Sequence, residues 1–238
     1  SVSIGLALVL IFAFIMVNRF HLTNTQKKEI VKQKDIVEEK NKEILDSITY
    51  AKRIQTAILP PEKLFLKHFP SSFILYKPKD IVAGDFYWLE TEGGKIFVAA
   101  ADCTGHGVPG AIVSVICSNA LTKAVKELHI HEPGEILDAT VAVLEEQFSK
   151  SEEEMKDGMD ISLLTYENEN GKAIVKWSGA NNPLWIVSNK VLKEIKADKQ
   201  PIGYYENRRP FNTHTIEVKS GDMIYLFSDG YADQFGGE

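Results

Sequence analysis

Hydrophobic residues fill the start of the chain, and charged residues dominate the stretch that follows. Between Val2 and Val17 the residues are uncharged and almost all apolar. A bilayer-spanning helix needs about 17–25 such residues, so this run predicts a transmembrane helix over residues 1–18. The first basic residue, Arg19, comes after the run, whereas signal peptides carry their positive charge before it. We therefore expect a single-pass inner-membrane anchor, the last span of a longer protein, with the rest of the chain in the cytoplasm.

A seven-residue hydrophobic period extends through the polar stretch, which contains neither Gly nor Pro from Thr23 to Ile58. Heptads of this kind favour a supercoiled helix pair. They predict a signalling coiled coil over residues 19–58 and a homodimer through residues 23–58. Polar residues at Lys34 and Asn41 weaken the first half of the seam, so a solvated spacer helix is an equal alternative. The repeating apolar positions are Ile30, Val37, Ile44, Ala51 and Ile58.

Pro60 and Pro61 end this helix and open a globular domain over residues 59–238. Within it, apolar periodicity predicts one helix from about Pro109 to Val125 and another from Glu132 or Pro133 to about Phe148. Short apolar runs bounded by turn residues predict strands before and after the helices. This order indicates an α+β fold with layered, mostly antiparallel sheets. The predicted strands cover residues 73–76, 86–90, 95–101, 161–166, 173–177, 184–187, 191–195, 214–218 and 223–227.

The glycine pair Gly93-Gly94 separates two of these strands and predicts a β-hairpin with a tight turn. With both glycines in the turn, Leu89 faces Val98. Continuing the same register places Asp85 opposite Asp102. A shifted register or a bulge would leave both aspartates as ordinary turn residues, which is the competing interpretation.

Aspartates occur three times where an apolar strand meets glycine, at Asp85, Asp102 and Asp229. Directly opposed side chains have Cβ atoms about 4.5–5.5 Å apart, and like charges at that spacing are destabilising. Two divalent cations about 3.5–4 Å apart would offset the repulsion, and such pairs activate water against phosphoryl groups. The pattern therefore favours a metal site over turn aspartates.

Other residues of the same region are weighed as dinucleotide-binding, nucleophilic or further metal-binding groups. Gly105–Gly110 has the spacing G-x-G-x-x-G between a strand and a helix, as in dinucleotide-binding folds. A dinucleotide-binding fold needs a parallel strand after the first helix, but here a second helix follows, so that fold is disfavoured. The weaker alternative, a phosphate contact through the backbone N–H groups of the loop, is retained. Cys103 lacks the nearby arginine of thiol phosphatases and is not expected to be a nucleophile. His106 is interpreted as solvated, and Asp160 as either a further ligand or the start of a strand.

The composition describes an ordinary globular protein, because 44% of its 238 residues are hydrophobic and 25% are charged. The formal net charge of −6 leaves no basic footprint, so nucleic acid is not expected as a partner. The two cysteines, Cys103 and Cys117, are too few for a disulfide framework and indicate a reducing compartment.

Six motifs, taken in order, resemble those of a known family. They are Arg53–Pro60, Lys77–Tyr87, Ala101–Ala111, Ser178–Leu184, Gln200–Gly203 and Phe227–Gly230. Together they resemble the metal-dependent protein phosphatases (PPM, protein phosphatase 2C-like), most closely the sporulation-protein-E-like branch of bacterial serine phosphatases. The resemblance extends from about residue 47 to the end of the chain, and several ordered motifs are far more specific than one.

This resemblance implies a β-sandwich flanked by helices, with two Mn²⁺ or Mg²⁺ ions at one end. Asp85 would bridge both ions. Asp102 and the Cys103 carbonyl would bind one ion, and Asp229 the other. Water activated by the ions would attack a phosphoserine without a covalent intermediate. The usual substrate in this branch is a phosphorylated anti-sigma-factor antagonist, so the output would be signal transduction through sigma-factor regulation.

Two departures from the family pattern keep an alternative open. The common Gly-His-Asn-Pro segment has the sequence Gly-Ala-Asn-Asn-Pro at residues 179–183. The family normally continues past the Asp229 motif into a helix and a strand with another acidic residue, so residues 59–238 are expected to be a C-terminally truncated phosphatase domain. A non-catalytic, partner-binding signalling module is the alternative function. A nucleotide cyclase is disfavoured because the order of elements offers no βαβ unit.

Overall fold

The computed structural model describes residues 2–149 and 156–231, and the chain divides into two compact units, Ser1–Thr49 and Tyr50–Glu238. The first unit belongs to one long helix, α1 (Val2–Ile58), which ends just before Pro60 as the prolines predict. Ser1 and the side chains of residues 2, 3 and 6–9 lie outside the described residues, so the span over 1–18 stays a prediction.

Eight strands in the second unit form two sheets, in which every pair of neighbouring strands is antiparallel. The larger sheet has the order β1-β2-β3-β4-β7, and the smaller has the order β6-β5-β8. This confirms an α+β fold with mostly antiparallel sheets. The strands are β1 (Phe86–Glu92), β2 (Lys95–Cys103), β3 (Met159–Glu169), β4 (Lys172–Ala180), β5 (Leu184–Ser188), β6 (Val191–Ile195), β7 (His214–Ile216) and β8 (Met223–Tyr225).

Two hydrophobic clusters hold the layers together. One joins the larger sheet to helices α3 (Gly107–Lys126) and α4 (Pro133–Phe148), with Phe97 and Leu121 at its centre. The other joins the opposite face of that sheet to the smaller sheet around Trp177. A short helix, α2 (Glu62–His68), packs Phe65 against Tyr87 of β1. The described residues therefore form a helical layer, a five-stranded sheet and a three-stranded sheet.

Helix α3 is the one helix, among the residues with described side chains, that is long and apolar enough to cross a membrane. Ten of its residues are buried. Six of the ten belong to the cluster with the larger sheet and α4, so core packing explains the apolar composition of the helix.

The β1–β2 hairpin has the predicted register, because Leu89 pairs with Val98 and Phe86 with Ala101. Its turn residues Gly93 and Gly94 have φ angles of 56° and 81°, which a two-residue hairpin turn with two left-handed positions requires. The antiparallel pairing of β2 with β3 also excludes the parallel βαβ unit of dinucleotide-binding folds and nucleotide cyclases.

The predicted strand at residues 73–76 is wrong, since this segment belongs to no ladder of the described residues. The four consecutive apolar residues instead form a segment without strand partners in which Ile74 and Tyr76 are partly buried. Tyr76 stacks edge-on against Tyr87 and donates a hydrogen bond to the carbonyl of Asp85, whereas Phe73 and Leu75 are exposed. The sequence also predicts a charged loop from Ser151 to Asp157, and most of that segment lies outside the described residues.

Candidate metal centre

The three aspartates predicted at strand ends lie together at one end of the sheets. Asp85 immediately precedes β1, Asp102 is the penultimate residue of β2, and Asp229 begins a short 3₁₀-helix after β8. Asp102 lies within hydrogen-bonding reach of both Asp85 and Asp229. Ser228, the residue before Asp229, donates a hydrogen bond of 2.7 Å to Asp85 Oδ2. This bond links the segment that carries Asp229 to Asp85. The hairpin register explains the first contact, and the packing of the two sheets adds the second.

Burial and the two neighbouring carboxylates raise the pKa of Asp102 to about 8. Burial is the larger cause because it removes water from the charged form, and the negative charges of Asp85 and Asp229 act in the same direction. Without a cation, the Asp102 carboxyl therefore holds a proton at neutral pH. The repulsion that the sequence predicts between opposed aspartates is present in the fold.

The donor chemistry of this cluster fits divalent cations, because carboxylate and carbonyl oxygens are the ligands that Mg²⁺ and Mn²⁺ prefer. Within residues 2–149 and 156–231, no three His, Cys, Asp or Glu side chains converge as a preformed cage around one point. A two-ion site, in which each ion takes only some of the carboxylates, does not require such a cage.

A bound cation is expected to stabilise the protein more at pH 8 than at pH 5. The folded pKa of Asp102 lies above the unfolded value of about 4. The contribution of this carboxyl to stability is therefore full below about pH 4 and is lost as the pH rises towards 8. A cation replaces the proton and reverses that loss. Thermal unfolding in EDTA and in Mn²⁺ at both pH values measures the two shifts, and equal shifts would contradict the assignment.

Backbone carbonyl oxygens of the loop after β2 also lie at this end of the sheet. A Cβ atom placed on Gly84 would lie 3.0 Å from the Cys103 carbonyl oxygen and 2.8 Å from that of Gly105. A Cβ on Gly110 would lie 2.5 Å from the Gly105 oxygen. These glycines let the loop after β2 pack directly against the residue that precedes Asp85. The Cys103 carbonyl therefore lies beside the aspartate cluster, where the family resemblance expects it.

The thiol of Cys103 has no catalytic geometry. It is buried against Cys117 of α3, and both cysteines are free. The hydrogen bond with Cys117 and burial both raise the pKa of Cys103, so the group is a neutral thiol rather than a nucleophilic thiolate. This agrees with the expectation that Cys103 is not a nucleophile.

Asp160 is both a strand residue and a neighbour of the acidic cluster. It lies in β3 directly opposite Asp102, so their side chains share one face of the sheet. Asn181, whose φ is 58°, donates a hydrogen bond of 2.8 Å to Asp160 Oδ1. Burial raises the pKa of Asp160, the bond from Asn181 opposes the rise, and the charge of Asp229 adds to it. Asn181 lies in the segment that departs from the family's Gly-His-Asn-Pro motif. Its hydrogen bond thus orients the Asp160 carboxylate beside the three aspartates.

Gln55 links the end of α1 to the loop that carries Asp85. Its side chain is buried, donates to the Ala83 carbonyl at 2.5 Å and to Ser114 Oγ at 2.9 Å, and accepts from the Ala83 N–H at 3.1 Å. Sequence reasoning missed this role, although Gln55 lies in one of the family motifs. The available signal was its place in that motif, since Lys52, Arg53 and Thr56 make Gln55 one of several polar residues at this helix end. His106, by contrast, is almost fully exposed to solvent, as predicted. Its nearest charged partner is Asp80, with 3.9 Å between His106 Nδ1 and Asp80 Oδ2.

Comparisons with known proteins identify the family of the chain and its fold. The family profile described as stage II sporulation protein E (SpoIIE) matches residues 92–238. The SiaA-PP2C domain of Pseudomonas aeruginosa is 30% identical, with a TM-score of 0.71, and the match covers 83% of this chain and 76% of that one. The PP2C phosphatase domain of SpoIIE from Bacillus subtilis is 22% identical, with a TM-score of 0.50, over 63% of this chain and 41% of that one. Curated protein sequences give no match.

A fourth comparison shows the fold alone. The RsbU and RsbW domains of a Mycobacterium tuberculosis protein are 17% identical, with a TM-score of 0.50, over 67% of this chain and 42% of that one. The family profile covers more than half of the chain, and the SiaA domain is similar over most of both chains. The chain therefore belongs to the SpoIIE family, and its globular unit is a PP2C-like protein phosphatase domain.

Proposed function

We propose that this protein is a metal-dependent serine/threonine phosphatase that hydrolyses phosphoserine on a regulatory protein. The observation that carries the proposal is the contact of Asp102 with both Asp85 and Asp229. Such crowding of carboxylates is costly unless positive charge accompanies it. Two Mn²⁺ or Mg²⁺ ions, which phosphatases of this family use, fit the donor atoms present.

Each aspartate has a distinct place in this proposal. Asp85 would contact both ions, as the family resemblance implies, and its orientation is fixed by the hydrogen bond from Ser228. Asp102 and the carbonyl of Cys103 would hold one ion, and Asp229 the other. When bound, the ions would supply an activated water and positive charge against the phosphate oxygens. The protein groups bind and orient, and no side chain of the cluster acts as a covalent nucleophile.

The substrate we propose is a phosphorylated anti-sigma-factor antagonist or a protein like it. The motif resemblance to the sporulation-protein-E-like branch supports this class. The chain's net charge of −6 argues against nucleic acid as a direct partner. A phosphoprotein substrate would place the enzyme in signal transduction through sigma-factor regulation.

Hydrolysis of p-nitrophenyl phosphate and of a phosphoserine peptide tests this function. We expect turnover of both with Mn²⁺ and none in EDTA, and faster hydrolysis of phosphoserine than of phosphotyrosine in otherwise identical peptides. Turnover that persists in EDTA would contradict the metal-dependent mechanism. Binding of phosphopeptide without any turnover would favour the non-catalytic, partner-binding module.

We also propose that α1 anchors the enzyme to the inner membrane and pairs it with a second copy. The apolar side chains Phe12 and Phe14 of the anchor region are 64% and 67% exposed, which is costly in water and favourable in lipid. Further along the helix, Ile30, Val37 and Ile44 are exposed at the spacing of a coiled-coil seam. Membrane attachment would keep the phosphatase domain on the cytoplasmic side.

Replacement of a seam residue is expected to dissociate the dimer. Val37→Asp in the full chain places a charge in the seam, which costs more than the apolar contact contributes. In detergent micelles we expect a dimer mass for the wild type and a monomer mass for Val37→Asp by multi-angle light scattering. Lys32→Asp, on the same helix but outside the seam, is the control and should stay dimeric. A monomeric wild type at high concentration would contradict the coiled coil.

A further inference from the structure

The pairing of β2 with β3 extends one residue beyond the end of β2. Cys103 pairs with Met159, so the same register places Thr104 opposite Gly158. The Thr104 N–H donates to the Gly158 carbonyl at 3.0 Å, which is one of the two hydrogen bonds that an antiparallel ladder makes at such a pair. The backbone of Thr104 is therefore held against the segment that begins β3.

A side chain supplies the acceptor of the second bond at this pair. The Gly158 N–H donates to Thr104 Oγ1 at 3.2 Å, where a regular ladder would use the Thr104 carbonyl. The Thr104 hydroxyl in turn donates to Asp157 Oδ1 at 2.7 Å, a length typical of a hydroxyl bound to a carboxylate. We call Thr104, Asp157 and Gly158 the threonine clamp.

The threonine clamp determines the direction of the Cys103 carbonyl. This carbonyl and the Thr104 N–H belong to one planar trans peptide, in which the two groups point in opposite directions. The N–H points towards β3 through its bond to Gly158, so the carbonyl points to the opposite side, where the segment before β1 lies. The Cys103 oxygen is indeed 3.0 Å from a Cβ atom placed on Gly84, which confirms this direction.

The Cys103 carbonyl therefore points to the side of the sheet on which the aspartates lie. Gly84 immediately precedes Asp85, and Asp102 lies within hydrogen-bonding reach of Asp85. Two adjacent residues, Asp102 and Cys103, thus offer a carboxylate and a backbone carbonyl, which are oxygen donors that Mg²⁺ and Mn²⁺ prefer. Rotation of the Cys103–Thr104 peptide would turn the carbonyl away and leave the carboxylate in place.

The loop beyond the clamp makes such a restraint necessary. Gly105 and Gly107 have φ angles of 84° and 61°, and glycine can adopt many other backbone conformations. Thr104 is exposed, so water competes for its polar groups. Three hydrogen bonds between Thr104 and the Asp157–Gly158 segment hold the peptide in one orientation. The bond from the Thr104 N–H also polarises the peptide group, which makes its carbonyl oxygen a better cation ligand.

We propose that Thr104 and Asp157 position the Cys103 carbonyl as a ligand of the divalent cation that Asp102 binds. Thr104 is then a positioning residue, because it acts through the peptide that it restrains. This inference rests on the proposed phosphatase function and deepens it, since it assigns the affinity for one cation to hydrogen bonds outside the aspartate cluster. Removal of a partner that orients a metal ligand typically weakens metal binding by about 10- to 100-fold.

Thr104→Val in the full chain is expected to bind one Mn²⁺ about tenfold more weakly than the wild type. Valine loses both side-chain bonds but keeps the backbone bond to Gly158, so the effect lies at the lower end of that range. Isothermal titration calorimetry in detergent micelles measures this affinity without any substrate. Thr104→Ser keeps the hydroxyl and should bind Mn²⁺ like the wild type. Thr25→Val, the same replacement at an exposed threonine of α1, is the matched control.

Variants at Asp157 separate the hydrogen bond from the negative charge. Asp157→Asn keeps an acceptor oxygen and should retain the affinity for Mn²⁺, whereas Asp157→Ala should weaken it as Thr104→Val does. In assays with p-nitrophenyl phosphate, the Mn²⁺ concentration for half-maximal activity of Thr104→Val should rise about tenfold. Saturating Mn²⁺ should restore most of kcat, because mass action then fills the weakened site.

Equal affinity of the wild type and Thr104→Val for Mn²⁺ would overturn the proposal. A fall in kcat that saturating Mn²⁺ does not restore would also overturn it, because Thr104 would then support the fold rather than a cation. Weak binding by both Asp157 variants would assign the effect to charge and refute the hydrogen-bonded clamp. Wild type that binds Mn²⁺ more tightly than Thr104→Val, yet hydrolyses nothing, would refute the proposed phosphatase function and retain the clamp. Equal affinities together with normal turnover would refute the clamp and retain the phosphatase.

Discussion

Asp102→Asn is expected to reduce phosphatase activity by about 1,000-fold or more, with a gain in stability when no metal is present. The amide replaces a charged oxygen donor that lies within reach of both Asp85 and Asp229. Divalent cations bind through such anionic oxygens, and the reaction that we propose depends on the cations for charge stabilisation. The loss should appear in kcat on p-nitrophenyl phosphate with saturating Mn²⁺.

The gain in stability separates this explanation from simple damage to the fold. Burial and two carboxylates raise the pKa of Asp102 to about 8, so ionisation of this group is unfavourable in the folded protein. An asparagine cannot ionise and avoids the repulsion at every pH. In EDTA at pH 8, the variant should therefore unfold at a higher temperature than the wild type, whereas at pH 4 the two should differ little.

Asp46→Asn, on the exposed face of α1, is the control for removal of a negative charge and should leave both activity and stability unchanged. Full activity of Asp102→Asn would refute the metal centre. A variant that is inactive but also destabilised in EDTA at pH 8 would show that Asp102 stabilises the fold rather than a cation. The two readouts thus distinguish a ligand from a structural residue.

The sequence was sufficient to predict the part of the site that depends on local geometry. The Gly93-Gly94 turn determines the hairpin register, and the two-residue period of the strands then places Asp85 and Asp102 on one face. The helices over Gly107–Lys126 and Pro133–Phe148 were also predictable, because proline and apolar spacing mark their starts and buried faces.

Contacts between distant segments could not be predicted in this way. Gln55 meets Ala83 across 28 residues, and Thr104 meets Asp157 across 53. Such pairs depend on how the sheets and helices pack, and no local period encodes them. The strand predicted at 73–76 failed for a related reason, because a short apolar run indicates burial but not the presence of a ladder partner.

Gln55→Leu is expected to lower kcat by about 10- to 100-fold at nearly unchanged KM, which is the second large effect that we predict. Leucine has a similar size but cannot replace the hydrogen bonds to both polar groups of the Ala83 backbone. Unpaired polar groups cost about 1–3 kcal/mol, so the loop before Asp85 would shift to find water. Small misplacements of catalytic groups lower rates by about 100-fold, which links this helix end to activity without any contact with substrate.

Gln55→Glu provides the readout that a purely structural role would not give. A glutamate accepts the bond from the Ala83 N–H but donates to the Ala83 carbonyl only when it is protonated. Burial raises the pKa of such a carboxyl, so the activity of this variant relative to wild type should rise as the pH is lowered from 8 to about 5.5. Thr56→Ala, at the neighbouring exposed position, should match wild type in both experiments. A Gln55→Leu enzyme with normal kcat, or a Gln55→Glu enzyme whose relative activity does not vary with pH, would show that the end of α1 does not position Asp85.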